Sequence, residues 1–405
     1  MTARERLSQN VRKLVDGDRT VSGILLAWGN LEQSETCFYG SAREVRLEGD
    51  TFLPDPQPLR ADAIFDLASI TKLFTCVAVL QLAEQGKLRL TDPVRAYDSR
   101  FVHLGDVPIL DLLNFHQALS THRRVDEAET PEEARERVFS ILPVERTGNR
   151  FYTDMGAIVL KYVVESAAGT SFYSYLREHI LLPLGMTETY AVVPEEKLAR
   201  TVCYNYERRI QAGEYWLDTA CPPGTVHDPK ARILSGGGAD LCGHAGLFST
   251  AADMVRFAQG LLSGKLLPME QVRRMGQNGT GRLLPDGTYT QHLGLLCYAK
   301  NPVQTFSEVP ACFGFRTVAL SGFTGNHISM DPEKGQFMLF LANRIHNRVT
   351  MATGRANPYE TVTSLPWNDG HSYPVSQNFV FRQDAYTKGP IGEILAAEYG
   401  GEAGH

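Results

Sequence analysis

Hydrophobic and polar positions divide the chain into three consecutive blocks of different periodicity. Residues 22–30 and 35–45 carry short apolar runs separated by a polar turn, which predicts a β-hairpin after a charged helical start. From about residue 94 to 285 the apolar positions recur at helical spacing between long loops. From about residue 292 alternating and continuous apolar runs predict strands and then a closing helix, over 294–300, 316–322, 327–332, 335–343 and 385–401.

One predicted helix, lying between the first two blocks, has a polar start. Its apolar positions keep helical spacing as far as a glycine at 86, and they are Ile70, Leu73, Phe74, Val77 and Leu80. A hydroxyl and an amine, those of Ser69 and Lys72, lie one turn apart at its head. The rest of the helix is apolar, so these two polar groups are candidates for chemistry.

The order of the blocks predicts an α+β fold, in which an antiparallel β-sheet is flanked by terminal helices and interrupted by an all-helical region. We assign residues 1–75 and 290–405 to a discontinuous sheet domain and residues 76–289 to a mostly helical inserted domain. An active cleft is expected where the two domains meet.

Composition and charge narrow the class of protein. The 405 residues are 43% hydrophobic and carry a net charge of −6 without long basic runs, so a nucleic-acid partner is not expected. The charged stretch 1–20 has no apolar core of a secretory leader, and no later run approaches the roughly 18 residues of a membrane span. We therefore predict a cytoplasmic protein without a membrane partner. The seven scattered cysteines favour reduced, buried thiols over disulfides or a zinc site.

The spacing of Ser69 and Lys72 is typical of a nucleophile and its base. A serine hydroxyl needs a neighbouring base at neutral pH, and residues three apart share one helix face. The positive end of the helix dipole and burial would both lower the pKa of Lys72 towards that of a useful base. A capped and solvated helix start is the alternative explanation of the same pair.

The surrounding segments resemble the serine β-lactamase-like superfamily of penicillin-binding proteins, class C β-lactamases and related esterases. Residues 65–94 resemble its nucleophile helix with the serine-x-x-lysine motif. Residues 148–172 resemble the segment with the second motif, which is tyrosine-x-asparagine in many members and Tyr152-Thr153-Asp154 here. Residues 319–346 resemble the strand of the third motif and the strand after it. The resemblance covers about residues 20–347.

The resemblance implies roles for individual residues. Ser69 would be the nucleophile, and Tyr152 would be a base or proton relay that shares the proton with Lys72. The backbone amides of Ser69 and Phe323 would form the oxyanion hole. A packed tyrosine whose hydroxyl has a structural partner is the alternative for Tyr152.

Two departures from the family pattern bear on the substrate and on the base. The third motif begins with a cation or histidine in β-lactamases and peptidases, but here the substrate-binding positions are Leu320, Ser321 and Gly322. Leucine cannot bind a substrate carboxylate. Asp154 replaces asparagine as a supporting residue, and a carboxylate beside Lys72 would keep the amine protonated and shift base work towards Tyr152.

Other candidate groups carry less weight. His116 and His122 stand where relatives show a short polar turn, and they could line the substrate cleft. Neither the pair His227-Asp228 nor Cys242-Gly243-His244 matches a zinc spacing, so no catalytic metal is expected. No phosphate loop or GxSxG elbow is present, and no cofactor is expected.

Three functions remain open at this stage. We favour an intracellular esterase or acyltransferase that forms an acyl-enzyme at Ser69 from a small-molecule ester or amide. Its acceptor would be water, an alcohol or an amine, and a natural-product or metabolite pathway would suit a cytoplasmic enzyme. The alternatives are a β-lactamase or D-alanyl-D-alanine peptidase, and a non-catalytic penicillin-binding-like protein.

The proline-dotted segment 347–383 is predicted to be irregular. Its aromatic residues Tyr359, Trp367 and Tyr373 suggest a cover for the cleft or a contact with a second subunit. Deletion of this segment should change acyl transfer or oligomer size if either suggestion is correct.

Overall fold

The computed structural model describes residues 1–238, 240–354, 362–377 and 389–399. We number its elements in chain order. The helices are α1 (Ala3–Arg12), α2 (Thr71–Glu84), α3 (Ile109–Leu113), α4 (Pro131–Phe139), α5 (Met155–Ala168), α6 (Phe172–Leu176), α7 (Leu182–Leu184), α8 (Pro229–Ser235), α9 (Ala251–Leu262), α10 (Met269–Met275) and α11 (Pro390–Glu398).

The strands fall into one large sheet and several small ones. They are β1 (Gly23–Asn30), β2 (Ser34–Glu48), β3 (Thr51–Pro58), β4 (Phe65–Asp66), β5 (Leu119–Ser120), β6 (Leu142–Pro143), β7 (Glu207–Gln211), β8 (Glu214–Asp218), β9 (Phe248–Ser249), β10 (Val318–Ser321), β11 (His327–Asp331), β12 (Gln336–Ala342), β13 (Val349–Ala352), β14 (Ser364–Pro366) and β15 (Ser372–Pro374).

The large sheet combines strands from an early and a late part of the chain, within residues 23–58 and 318–342. Its six strands are antiparallel and run in the order β10-β11-β12-β1-β2-β3. The central pair places Ile24 opposite Ala342 and Asn30 opposite Gln336. This arrangement confirms the predicted α+β fold and the predicted β1–β2 hairpin. The exact boundaries of the two domains stay a prediction.

Helices cover the sheet and enclose the nucleophile helix. α1 contacts β2 and α11, whereas α9 packs against β1, β11 and β12. α2 is buried over nearly its whole length and packs against α5 and α6. The larger hydrophobic core of the described residues runs from the sheet into the helical region. No described helix combines the length and the apolar character that crossing a bilayer requires.

Several local predictions were wrong. Residues 294–300 form isolated bridges from Leu293 to Tyr298 and from Tyr298 to Ala319 instead of a strand. The region predicted to be only helices and loops contains a hairpin, β7–β8, which extends a second sheet in the order β13-β7-β8. Segment 347–383 contains three short strands, β13, β14 and β15, within its described part.

The aromatic residues of that segment have different outcomes. Trp367 and Tyr373 pack with Val349 and Val375 in a small cluster of their own. Tyr359 lies outside the described residues. A role for the segment as a cleft cover or subunit contact stays a prediction.

All seven cysteines are buried and form no disulfide.

Candidate active site

Ser69 stands in a tight turn that a buried carboxylate supports. β4 ends at Asp66, and a 3₁₀ turn over Ala68–Ile70 leads into α2. Asp66 accepts hydrogen bonds from the backbone N–H groups of Ala68 and His227, each at 2.8 Å. Ala68 has a positive φ of 46°, which is costly for a residue with a Cβ. The Asp66 contacts therefore hold a strained turn immediately before Ser69.

Lys72 is directed at Ser69 from the first turn of α2. Its ammonium is completely buried and donates to Ser69 Oγ at 2.9 Å and to the His244 carbonyl at 3.2 Å. The pairing predicted from the spacing of the two residues is therefore present. The loop that carries His244 packs closely against α5 because Gly243 has no side chain. A Cβ at Gly243 would lie 2.1 Å from the Ala157 carbonyl oxygen.

Tyr152 lies beside the Ser69–Lys72 pair and comes from the loop before α5. Lys72 Nζ lies 5.0 Å from the centroid of its ring. The ring is stacked between Phe115 and Tyr298, with centroid separations of 5.4 and 5.8 Å. The backbone N–H of Tyr152 donates to Gln291 Oε1 at 2.8 Å. This packing fixes the ring so that its hydroxyl can meet the Lys72 ammonium.

Asp154 contacts Lys72 directly, with 2.8 Å between Oδ1 and Nζ. Burial favours a low pKa for Lys72, but the charge of Asp154 and the phenol of Tyr152 outweigh it and raise that pKa above its usual value. Burial opposes ionisation of Asp154, yet Lys72 and the nearby cations hold its pKa well below its usual range. Burial acts on the pKa of Lys72 in the direction that we expected, but the Asp154 carboxylate outweighs it, as the replacement of asparagine by Asp154 suggested.

The end of β10 lies against the nucleophile turn. A Cβ on Gly322 would approach the Leu67 carbonyl oxygen to 2.7 Å and the Ala68 Cβ to 3.3 Å. Ser321 Oγ is 2.8 Å from His327 Nδ1. This proximity suits the predicted substrate edge at Ser321 and Gly322 and the predicted oxyanion hole at Ser69 and Phe323, although those roles stay predictions.

Three predicted substrate-binding residues are placed less favourably. Leu320 is fully buried and belongs to the main hydrophobic core, so its side chain offers no surface to a substrate. His116 is tied to the Gly279 carbonyl at 3.1 Å and lies 3.7 Å from the Asp111 carboxylate. His122 is exposed on a loop. Substrate binding by His116 and His122 stays a prediction, whereas burial of Leu320 leaves its side chain without a substrate-facing surface.

A second layer of charges behind Lys72 was not predicted. Lys230 Nζ lies 3.1 Å from Asp154 Oδ2 and 3.4 Å from Asp228 Oδ2. Asp228 Oδ1 lies 2.9 Å from His244 Nε2, and His244 Nδ1 lies 3.1 Å from Cys242 Sγ. Burial opposes protonation of His244, but Cys242 and Asp228 raise its pKa to about 9. A continuous series of polar contacts thus leads from Ser69 to a buried thiol.

Part of this layer also has the donor set of a metal site. One ligand atom from each of Asp154, Asp228 and His244 lies within 4.8 Å of the others. The Lys230 ammonium already contacts both carboxylates, and it would repel a metal cation placed between them. Lys230 and Asp228 carried no sequence signal that links them to Ser69, since both lie at the start of α8, far from Ser69 along the chain. Asp66 is only three residues before Ser69, but no motif identified it as a support of the turn.

The comparison with known proteins agrees with this geometry. The beta-lactamase family matches residues 43–359, and the chain belongs to that family. It is a serine hydrolase or acyltransferase of the β-lactamase superfamily. The resemblance noted in the sequence is therefore confirmed.

Two relatives show how far the similarity extends. A protein named "Putative D-alanyl-D-alanine carboxypeptidase" from Escherichia coli O157:H7 is 24% identical over 370 residues, which cover 80% of this chain and 78% of that protein. A protein named "Putative penicillin-binding protein PbpX" from Bacillus subtilis is 25% identical over 235 residues. That match covers 56% of this chain and only about half, 55%, of the relative.

Solved structures share the fold at low identity. The LovD6 mutant of simvastatin synthase from Aspergillus terreus has a TM-score of 0.67 and 18% identity, and the match covers 98% of both chains. EstCE1, described as a hydrolase with promiscuous acyltransferase activity, has a TM-score of 0.62 and 18% identity over 84% of this chain and 93% of its own. These likenesses establish the β-lactamase/transpeptidase-like fold.

Proposed function

We propose that this protein is an esterase or acyltransferase that forms an acyl-enzyme at Ser69 from a small-molecule ester or amide. One observation carries the proposal: the fully buried Lys72 ammonium donates to Ser69 Oγ at 2.9 Å at the head of α2. A buried lysine aimed at a serine hydroxyl has little structural value that an apolar side chain could not supply.

The reaction would proceed in two balanced steps. In the first, Ser69 Oγ bonds to the carbonyl carbon of the donor, and the bond from that carbon to the leaving group breaks. The hydroxyl proton passes to the base and then to the leaving group. In the second step water, an alcohol or an amine attacks the acyl-enzyme, gives its proton to the same base, and releases Ser69 with its proton restored.

The proton acceptor in this scheme is Tyr152. Asp154 keeps Lys72 in its ammonium form, so Lys72 acts first as a donor that orients Ser69 Oγ and stabilises a phenolate on Tyr152. The positive end of α2 would stabilise the oxyanion that forms beside the amide of Ser69.

The charges around the cleft favour a donor without a carboxylate. Leu320 supplies no cation, and the two arginines that stack on Phe323 are engaged elsewhere. Arg209 pairs with both oxygens of Glu207 at 2.8 and 3.0 Å. Arg344 donates to the Phe323 carbonyl, with 3.1 Å from its Nε. A substrate carboxylate would therefore compete with existing partners.

A β-lactamase or D-alanyl-D-alanine peptidase is the second candidate. It is favoured by the similarity to the Escherichia coli relative, whose printed name is that of a carboxypeptidase. Both candidates acylate a serine, and they differ in the donor.

Intact-protein mass spectrometry tests the proposal. The protein is mixed briefly with an activated aryl ester, with a β-lactam and with a D-alanyl-D-alanine peptide, and Ser69→Ala is treated in parallel. We expect an ester-derived adduct that requires Ser69 and is removed faster by an alcohol or amine than by water. An adduct only from the β-lactam or the peptide would favour the second candidate, and no adduct at all would reject both.

A further inference from the structure

Lys230 occupies an unusual position behind the candidate site. It follows Pro229 at the start of α8, and its helix is capped by Asp228, which accepts from the Ala231 N–H at 2.9 Å. The ammonium of Lys230 lies between Asp228 and Asp154 and contacts one carboxylate oxygen of each. Burial alone would lower the pKa of Lys230, but the two carboxylates raise it, so the ammonium form is stable there.

Asp154 divides its two oxygens between two lysines. Oδ1 faces Lys72 at 2.8 Å, and Oδ2 faces Lys230 at 3.1 Å. A carboxylate with only Lys72 as its partner would direct its whole charge at that ammonium and stabilise it further. A carboxylate shared with a second cation presents less negative charge to Lys72. The second cation therefore limits how strongly Asp154 traps the proton that sits next to Ser69.

We propose that Lys230 is a positioning residue for acyl transfer: it shares the Asp154 carboxylate with Lys72 and so keeps Lys72 able to take part in proton transfer. This inference rests on the proposed function. Lys230 contacts Asp154 instead of Ser69, and its direct repulsion of the Lys72 ammonium is weaker than its contact with Asp154. With Lys230 as a second partner, Asp154 still stabilises the Lys72 ammonium, but less strongly than an unshared carboxylate would.

Other charged groups around the pair must be included in any pH argument. Tyr152 faces Lys72 from the loop before α5, and His244 faces it through its carbonyl from the loop before β9. Asp228 faces Lys230 from its own helix start, and the His244 imidazole lies beyond that carboxylate. Only Asp154 contacts both lysines among these described groups, so it is the one through which Lys230 reaches Lys72.

The test is a double-mutant cycle on acylation. Second-order rate constants for acylation of Ser69 by an aryl ester are measured by mass spectrometry as a function of pH for wild type, Lys230→Met, Asp154→Asn and the double variant. On the rising limb of the profile, a shift of one pKa unit changes the rate about tenfold at every pH. Lys230→Arg keeps the cation and is the conservative rescue.

The expected pattern is non-additive. Lys230→Met should slow acylation about tenfold and displace the rising limb to higher pH, because the uncompensated charge of Asp154 then holds the proton shared by Lys72 and Tyr152 more tightly. In the Asp154→Asn background the same substitution should cost less than about threefold, because no shared carboxylate remains. Lys230→Arg should stay within about threefold of wild type.

A matched control separates this role from ordinary stability. Lys161 is also buried and also bridges two carboxylates, Asp240 at 2.7 Å and Glu165 at 3.2 Å. Lys161→Met should lower the melting temperature without moving the pH profile. Each variant is checked for folding by circular dichroism before rates are compared.

Two outcomes would overturn the proposed role of Lys230, and a third would overturn the proposed function on which that role rests. Equal losses from Lys230→Met in both backgrounds would mean that Lys230 acts directly on Lys72. A melting-temperature loss with an unmoved pH profile would make Lys230 structural. Absence of any Ser69 adduct in wild type would instead reject the proposed function, and this result is distinct from the other two.

Discussion

Single residues around Ser69 decide where its proton can go. Lys72 is nearest, but it is held as an ammonium by Asp154, so it donates to Ser69 Oγ instead of accepting from it. The ring of Tyr152 lies beside the same ammonium, with 5.0 Å from Lys72 Nζ to the ring centroid. These contacts support the proposed assignment of base work to Tyr152.

Tyr152→Phe isolates that role because it keeps the ring between Phe115 and Tyr298. We expect acylation of Ser69 to slow by about 10²–10⁴-fold, the usual contribution of a general base, with little change in stability. Stopped-flow release of the aryl leaving group measures the rate. The control is Tyr399→Phe, a tyrosine outside the candidate site. It removes a hydroxyl that donates to the Phe337 carbonyl at 2.6 Å. A variant that retains the wild-type rate would return the base role to Lys72.

Asp66 offers a second prediction at this scale. It is fully buried, and each of its two oxygens accepts from a backbone N–H. Asp66→Asn would place an NH₂ group against one of those N–H donors, which should cost about 1–3 kcal/mol of unfolding free energy. It should also slow acylation, because the turn before Ser69 loses a support. Urea unfolding and acylation rates measure the two effects.

The control for Asp66 is another fully buried carboxylate. Asp253 accepts from the Glu188 N–H at 2.7 Å and from Thr189 Oγ1 at 2.9 Å at the start of α9. Asp253→Asn should lose comparable stability and leave acylation unchanged. If both variants acylate equally well, Asp66 supports the fold only.

At the scale of elements, the site depends on the close approach of β10 to the turn before α2. Gly322 lies where any side chain would meet the Leu67 carbonyl oxygen at 2.7 Å. Gly322→Ala must therefore push the strand end away from Ser69. A displacement of about 1 Å at a reacting centre can cost on the order of 10²-fold in rate.

We accordingly expect Gly322→Ala to fold and to acylate at least about tenfold more slowly than wild type. Gly17→Ala is the control, because a Cβ there meets only Lys13 Cγ at an ordinary 3.5 Å. The comparison uses melting temperatures and single-turnover rates. An unaltered rate in Gly322→Ala would show that the strand end is not part of the reacting centre.

Elements with a strong local signal could be predicted from the sequence, and those without one could not. α2 and the β1–β2 hairpin follow from periodicity, and Ser69, Lys72, Tyr152 and Asp154 follow from motif order. The β7–β8 hairpin was missed because each strand has only five residues, β7 is mostly polar, and β8 has little burial. Lys230 was missed because its contact with Asp154 joins positions 76 residues apart in sequence.

At the scale of the whole molecule, buried histidines link the sheets to the loops between them. His346 follows β12, and it connects β2 to the segment before β7. Its Nε2 accepts from the Glu44 N–H at 2.9 Å, and its Nδ1 lies 2.9 Å from the Asn205 carbonyl. One ring nitrogen accepts and the other donates, so the neutral imidazole satisfies both partners. Protonation would break the bond from Glu44.

Burial lowers the pKa of His346 to about 4, and the nearby guanidinium groups of Arg348 and Arg208 act in the same direction. An unfolded histidine titrates near 6.5, so between about pH 6.5 and 4 the unfolded chain binds more protons than the folded chain. Stability is therefore fully present above about pH 6.5 and is lost as the pH falls through this window, by up to about 3 kcal/mol. His244, whose pKa is raised to about 9, contributes stability that is fully present below about pH 6.5, so it does not add to this loss.

His346→Gln keeps a donor and an acceptor at this position but cannot titrate. We expect it to lower stability at pH 7 and to flatten the acid side of the stability curve, so that wild type and variant converge towards pH 4. Urea unfolding at several pH values between 4 and 7.5 measures the curve, with the exposed His103→Gln as the control. Parallel curves for wild type and His346→Gln would contradict the prediction, since the acid loss would then arise from other groups.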